Sequence, residues 1–140
     1  MIVAPQDVAH LRAAMEDLAA ACGTGDLSAM VLADTAFHNA LTAAAGNRVL
    51  SYLMNSIMAF LVDSRRISLS VAGRGPHVLS RHREVLASIE QHDVVRTLAA
   101  VRAHVHDLHR DLRVATTASP APERSPGRLA WHPARQAERW

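Results

Sequence analysis

Apolar residues recur at three- and four-residue intervals through most of this chain, the spacing that lines one face of an α-helix. Val8, Leu11, Met15, Leu18 and Ala19 mark a first helix from Pro5 to about Ala21. Pro5 suits the first helical position, where the backbone needs no N–H. Asp7 suits the positive end of the helix dipole. Gly23-Thr24-Gly25 should end this helix, because glycine accepts the left-handed cap geometry. Asp26 is a good N-cap for a second helix with Leu27, Met30, Val31, Phe37, Leu41 and Ala45 on one stripe, stopping at Gly46. Asn47 caps a long third helix through Leu50, Leu53, Met54, Ile57, Met58 and Leu61 towards Leu69. Gly73-Arg74-Gly75-Pro76 is the clearest break. A fourth helix follows with Val78, Leu79, Val85, Leu86 and Ile89. Asp93 starts a fifth, whose stripe is Val94, Leu98, Val101, Val105, Leu108 and Leu112. No strand pattern appears. Short links favour antiparallel neighbours, so the expected fold is all-α, an antiparallel bundle of five helices.

The periodicity stops after Val114, where a run with three prolines begins. The expected division is a helical domain over residues 1–114 and a disordered Pro- and Arg-rich tail over 115–140, with Trp131 and Trp140 isolated within it.

Composition sharpens this picture. Apolar residues make up 49% of the 140 residues but aromatics only 4%, a mix dominated by Ala, Leu and Val that favours helices over sheets. One cysteine, Cys22, excludes an intrachain disulfide and a cysteine-based metal cluster. No apolar run approaches the roughly 18 residues of a membrane span, and no signal pattern opens the chain, so a cytoplasmic protein is expected. All 15 basic residues are arginines, and the net charge is +2. Up to Val114 the chain holds 11 arginines and 11 acids, so the excess sits in the tail and the body offers no basic face for nucleic acid.

Polar residues inside the apolar stripes carry the candidate chemistry. Asp34 and His38 are one helical turn apart, so they share a face. Asp34 lies near the middle of its stripe and His38 about 40° to one side. A buried carboxylate without a partner is costly and shifts its pKa until it neutralises. A metal ion would keep it ionised. An Asp–His hydrogen-bonded pair that only fixes packing is the alternative. His82 falls on the centre of the fourth helix's stripe, and His104 at the edge of the fifth's. Bundle cores are where metal sites are built from side chains on facing helices. His106 points away from its stripe, His77 and His92 lie near helix ends, His10 is in the first helix, His132 is in the tail, and His109, nearer the apolar face, has no evident partner. No Ser-His-Asp order, phosphate loop or H-E-x-x-H motif supports common hydrolase or kinase chemistry.

The run Asp34-x-x-Phe37-His38-x-x-Leu41, then Ala45-Gly46-Asn47-x-x-Leu50, resembles the effector-binding domain of GntR-type transcription regulators, in particular the all-helical FadR C-terminal (FCD) class. His82-Arg83-x-x-Leu86-x-x-Ile89, Asp93 and His104 match its end, and the resemblance spans roughly Pro5 to Leu112. It implies one divalent metal on Asp34, His38, His82 and His104, with water or a small organic acid completing the shell. Three imidazoles and a carboxylate suit Zn²⁺ first, with Ni²⁺ or Mn²⁺ possible. Asn47, Arg65 and Arg66 are candidate effector-binding residues. Asn47 also reads as a plain N-cap, and the arginines as surface charges. Regulators of this class implied by the resemblance are homodimers whose DNA binding resides in a winged helix-turn-helix, which is not expected in this chain. Matched to the family pattern, the chain is expected to start at the second helix, which predicts an exposed apolar groove. The expected function is effector sensing rather than catalysis. A truncated dimerisation or interaction domain is the alternative, and a small metal-dependent hydrolase a more distant one.

Overall fold

The third helix expected from the apolar pattern is two helices. The computed structural model of the protein describes residues 3–118, and there the order is α1 (Pro5–Thr24), α2 (Leu27–Ala44), α3 (Arg48–Phe60), α4 (Val62–Ser70), α5 (Arg74–Glu90) and α6 (Val94–Ala118). The antiparallel all-helical bundle thus has six helices, and no strand occurs among the described residues. The break falls at Leu61, whose backbone leaves the helical region at φ −90°, ψ 6°. Neither glycine nor proline stands there. The two segments differ instead in what they bury. α3 buries only Met58, whereas α4 turns inward and buries Arg65, Ser68 and Leu69. α4 packs against α2, α5 and α6.

The predicted caps hold. The Asp26 side chain accepts from the Ala29 N–H at 3.0 Å, Asn47 from Leu50 at 3.1 Å and Asp93 from Arg96 at 2.9 Å. Each satisfies a first-turn donor that has no partner inside its helix. α1 runs through Gly23 to Thr24, so the cap is Gly25 alone, at φ +72°. α6 continues four residues past Val114, to Ala118. The expected disordered tail beyond it, with Trp131 and Trp140, lies outside the described residues.

The core runs from α1 through α2 to α5. Leu11, Leu18, Phe37 and Val85 are almost completely buried, each worth roughly 1.5–3 kcal/mol relative to exposure. Gly75 marks a close approach at the start of α5, where a Cβ would lie 2.9 Å from both Cys22 Sγ and Met30 Sδ. The expected stripes of α3 and α6 behave differently. Leu53, Ile57, Val94, Leu98 and Val105 are between 46% and 69% exposed, and of these Ile57 and Val105 line an open cavity. No helix among the described residues is long and apolar enough to cross a membrane.

Candidate metal centre

Helical geometry brings Asp34 and His38 to the same side of α2, and α5 and α6 each add one imidazole. One ring nitrogen from each of His38, His82 and His104 lies within 4.8 Å of the others. Asp34 Oδ1 stands 3.5 Å from His82 Nε2 and 3.9 Å from His38 Nε2. Around a tetrahedral ion with ~2.1 Å bonds, ligand atoms are ~3.4 Å apart. The three imidazoles form the cluster that could close on one ion, and Asp34 stands beside two of them, His82 and His38. The donor set therefore fits a divalent metal.

His82 is the residue that most needs explaining. It is fully buried, and neither ring nitrogen has a hydrogen-bond partner among the protein groups. Buried polar groups are nearly always paired, and an unpaired one costs roughly 1–3 kcal/mol. Its ring is stacked on Phe37, with centroids 4.1 Å apart and planes at 11°. That aromatic seat fixes the ring plane. The rings of His38 and His104 stand 5.1 and 4.7 Å from it, centroid to centroid.

Burial sets the protonation states. It lowers the pKa of His82 to about 2, helped by repulsion from His38, His104 and Arg65. His38 falls to about 4 through burial and the Arg65 charge. His104 falls to about 4 through burial and His38, with Asp34 partly opposing. Neutral imidazoles are the metal-binding form. Burial pushes the Asp34 carboxyl up, while Arg65, His104 and Arg74 pull it back. Arg65 compensates one oxygen of this carboxylate, and the other oxygen faces uncharged imidazoles, a setting that accepts a dication.

Arg65 belongs to this centre and Arg66 does not. The buried Arg65 places Nε 3.1 Å from Asp34 Oδ2 and donates from Nη1 to Thr35 Oγ1 at 3.0 Å. Its Nη2 lies against Met58 Sδ. The guanidinium is thus engaged by the protein itself, and it also reaches the cavity wall. Arg66 is exposed, with Nη2 3.5 Å from Ser28 Oγ. Asn47 is exposed and serves as the α3 cap. His10, His92, His106 and His109 are exposed.

One cluster escaped the sequence reading. Asp107, one helical turn beyond His104, accepts from Arg81 Nε at 2.7 Å and pairs with His77 Nε2 at 3.1 Å. The only hint of it in the sequence was spacing, since His77 and Arg81 share a face of α5.

A cavity of about 560 Å³ opens beside the centre. His38, Arg65 and His104 reach its wall, and most of its remaining lining is apolar, from α2, α3, α5 and α6.

Bundle, buried donor cluster and adjoining cavity define an all-helical ligand-binding domain. The chain belongs to the FCD domain family, whose profile matches residues 2–107. That makes it a regulatory, effector-binding domain of the kind found in GntR-family transcription regulators. No curated protein and no solved structure matches the chain.

Proposed function

We propose that the protein senses a small organic acid through one divalent metal held by Asp34, His38, His82 and His104. The observation that carries this is His82: a fully buried imidazole with both nitrogens unpaired, facing three other potential ligands. Zn²⁺ suits the donor set best, with Ni²⁺ or Mn²⁺ as alternatives. The acid would complete the metal's shell from the cavity side, where His38 and His104 are reachable. Arg65 then acts on Asp34, holding one oxygen and leaving the other to the ion. Ligand binding shifts the bundle between states only by its differential affinity for them. In a GntR-type homodimer in the cytoplasm, that shift would reset the spacing of two winged helix-turn-helix heads on DNA.

The test is metal analysis of protein purified without chelator, followed by calorimetric titration of the metal-loaded protein with organic acids. Stoichiometric metal and saturable acid binding support the reading. Protein that takes up no Zn²⁺, or metal-loaded protein that binds no acid, rejects it.

A second reading, an interaction domain, draws on the exposed Phe60 and Val95, at 86% and 81%. Concentration-dependent association, with melting unchanged by Zn²⁺, would favour it.

A further inference from the structure

We infer that the acid sensed here is a monocarboxylate with an extended apolar body, such as a medium-chain or aryl-alkyl acid, rather than a hydroxy, sugar or dicarboxylic acid. The inference rests on the metal–carboxylate reading above and adds the class of effector.

The imidazoles and the one guanidinium of the cavity wall are gathered around Asp34. His38 and His104 are neighbours there, with ring centroids 5.1 Å apart, and Arg65 reaches the same Asp34 carboxylate as His38. Apart from two threonines the rest of the lining is apolar, with Leu41, Leu50, Met54, Ile57, Val101 and Val105 among it. Among the described residues lining the cavity, Arg65 is the only one with a permanent charge. A second carboxylate on the ligand would therefore lie against hydrocarbon without a cation, which is strongly unfavourable.

Hydroxyl groups on a ligand would fare little better. The lining has two hydroxyl side chains, Thr42 and Thr97. Both donate to their own helices: Thr42 to the carbonyls of His38 and Asn39 at 3.2 and 3.0 Å, and Thr97 to that of Asp93 at 2.8 Å. A polyhydroxy acid would set several hydroxyls against aliphatic walls where the two threonine oxygens remain only as acceptors, and sites with so few partners do not select such ligands. Size points the same way. At about 560 Å³ the cavity lies within the ordinary range of small-molecule pockets and far exceeds what a two- or three-carbon acid fills. An apolar chain gains from every methylene it places there.

The experiment titrates Zn²⁺-loaded protein by calorimetry with straight-chain acids from butyrate to decanoate. Gluconate, adipate and 1-octanol are comparators. Affinity should rise about three- to fourfold per methylene until the cavity is full. Hexanoate should bind at least tenfold more tightly than gluconate or adipate, and octanoate at least tenfold more tightly than 1-octanol. Ile57→Ser, at a half-exposed position on the wall, should weaken octanoate several-fold while Zn²⁺ affinity, read separately, stays unchanged. That unchanged affinity shows the variant is folded.

If gluconate or adipate binds and chain length has no effect, the effector class is wrong while the metal–carboxylate reading stands. If Zn²⁺ binds but no acid does, both fail. Octanol matching octanoate overturns the carboxylate anchor. Octanoate binding that disappears as the protein self-associates would show that a second copy covers the cavity, and it also overturns the proposal.

Discussion

Arg65 Nε stands 3.1 Å from Asp34 Oδ2, with both side chains only 7% exposed. Asp34's other oxygen faces His38 and His82. One carboxylate is therefore divided between a guanidinium and a histidine cluster. Removing one partner of a buried ion pair leaves the other charge without compensation, at about 3–5 kcal/mol. Arg65→Leu should thus destabilise the metal-free protein by about 3 kcal/mol in urea unfolding. It should also weaken Zn²⁺ about 10–100-fold, the usual effect of losing a group that orients a ligand. A loss of stability below about 1 kcal/mol would mean that water replaces the pair.

His82 gives a prediction with opposite signs in the two states. His82→Leu removes two unpaired nitrogens from a fully buried site. The metal-free variant should melt at or above the parent temperature, because replacing an unsatisfied polar group by an apolar one of similar size is neutral or stabilising. Zn²⁺ should no longer raise its melting temperature. In the parent, Zn²⁺ at a hundredfold excess over Kd should add about 2.7 kcal/mol. His106→Ala, at an exposed position, should leave Zn²⁺ affinity unchanged. Equal effects of the two substitutions would refute the ligand set.

Acid should unfold the metal-free protein early. His38 and His104 titrate near 4 and His82 near 2 in the folded chain, against about 6.5 when unfolded. Below about 6.5 the unfolded state binds more protons, so stability falls as pH drops. The full contribution is present above about 6.5 and declines down to about 4, with His82 extending the decline towards 2. Melting temperatures between pH 7 and pH 5 check this. A flat profile would show that the imidazoles are not buried in their neutral form. Zn²⁺ affinity should fall over the same range, since the ligands must be unprotonated.

Asp107 ties α6 to α5 near the centre. Burial pushes its carboxyl up, but hydrogen bonds from Arg81 and His77 and the charges of Arg81 and Arg110 outweigh this and hold it below the usual range. Its contribution is therefore present above about pH 4 and lost as pH falls through the lowered value. Asp107→Ala should cost about 1–2 kcal/mol, with Arg81 30% exposed and partly screened. Chemical unfolding measures it. No change would mean that the contact does not persist in solution.

Much of this architecture was legible in the residues. Asp34 and His38 are placed by helical spacing alone, and His82 by its position at the centre of a stripe. Asp26, Asn47 and Asp93 announce three helix starts through chemistry local to each start. The kink at Leu61 was not legible, because no residue there breaks a helix and the apolar pattern continues across it. Arg65 and Arg66 are adjacent, about 100° apart around one axis. Which of them enters the core depends on the direction α4 takes after the kink. Periodicity likewise marked apolar faces on α3 and α6 without saying whether anything covers them.

The Leu61 joint has a mechanical consequence. Met58 and Leu61 form part of the cavity wall, and Arg65, one turn further on, grips Asp34. The cavity's width and the seat of the carboxylate therefore share one pivot. An occupant that displaced α3 from α4 would therefore act on a wall only one turn from the guanidinium that holds the carboxylate.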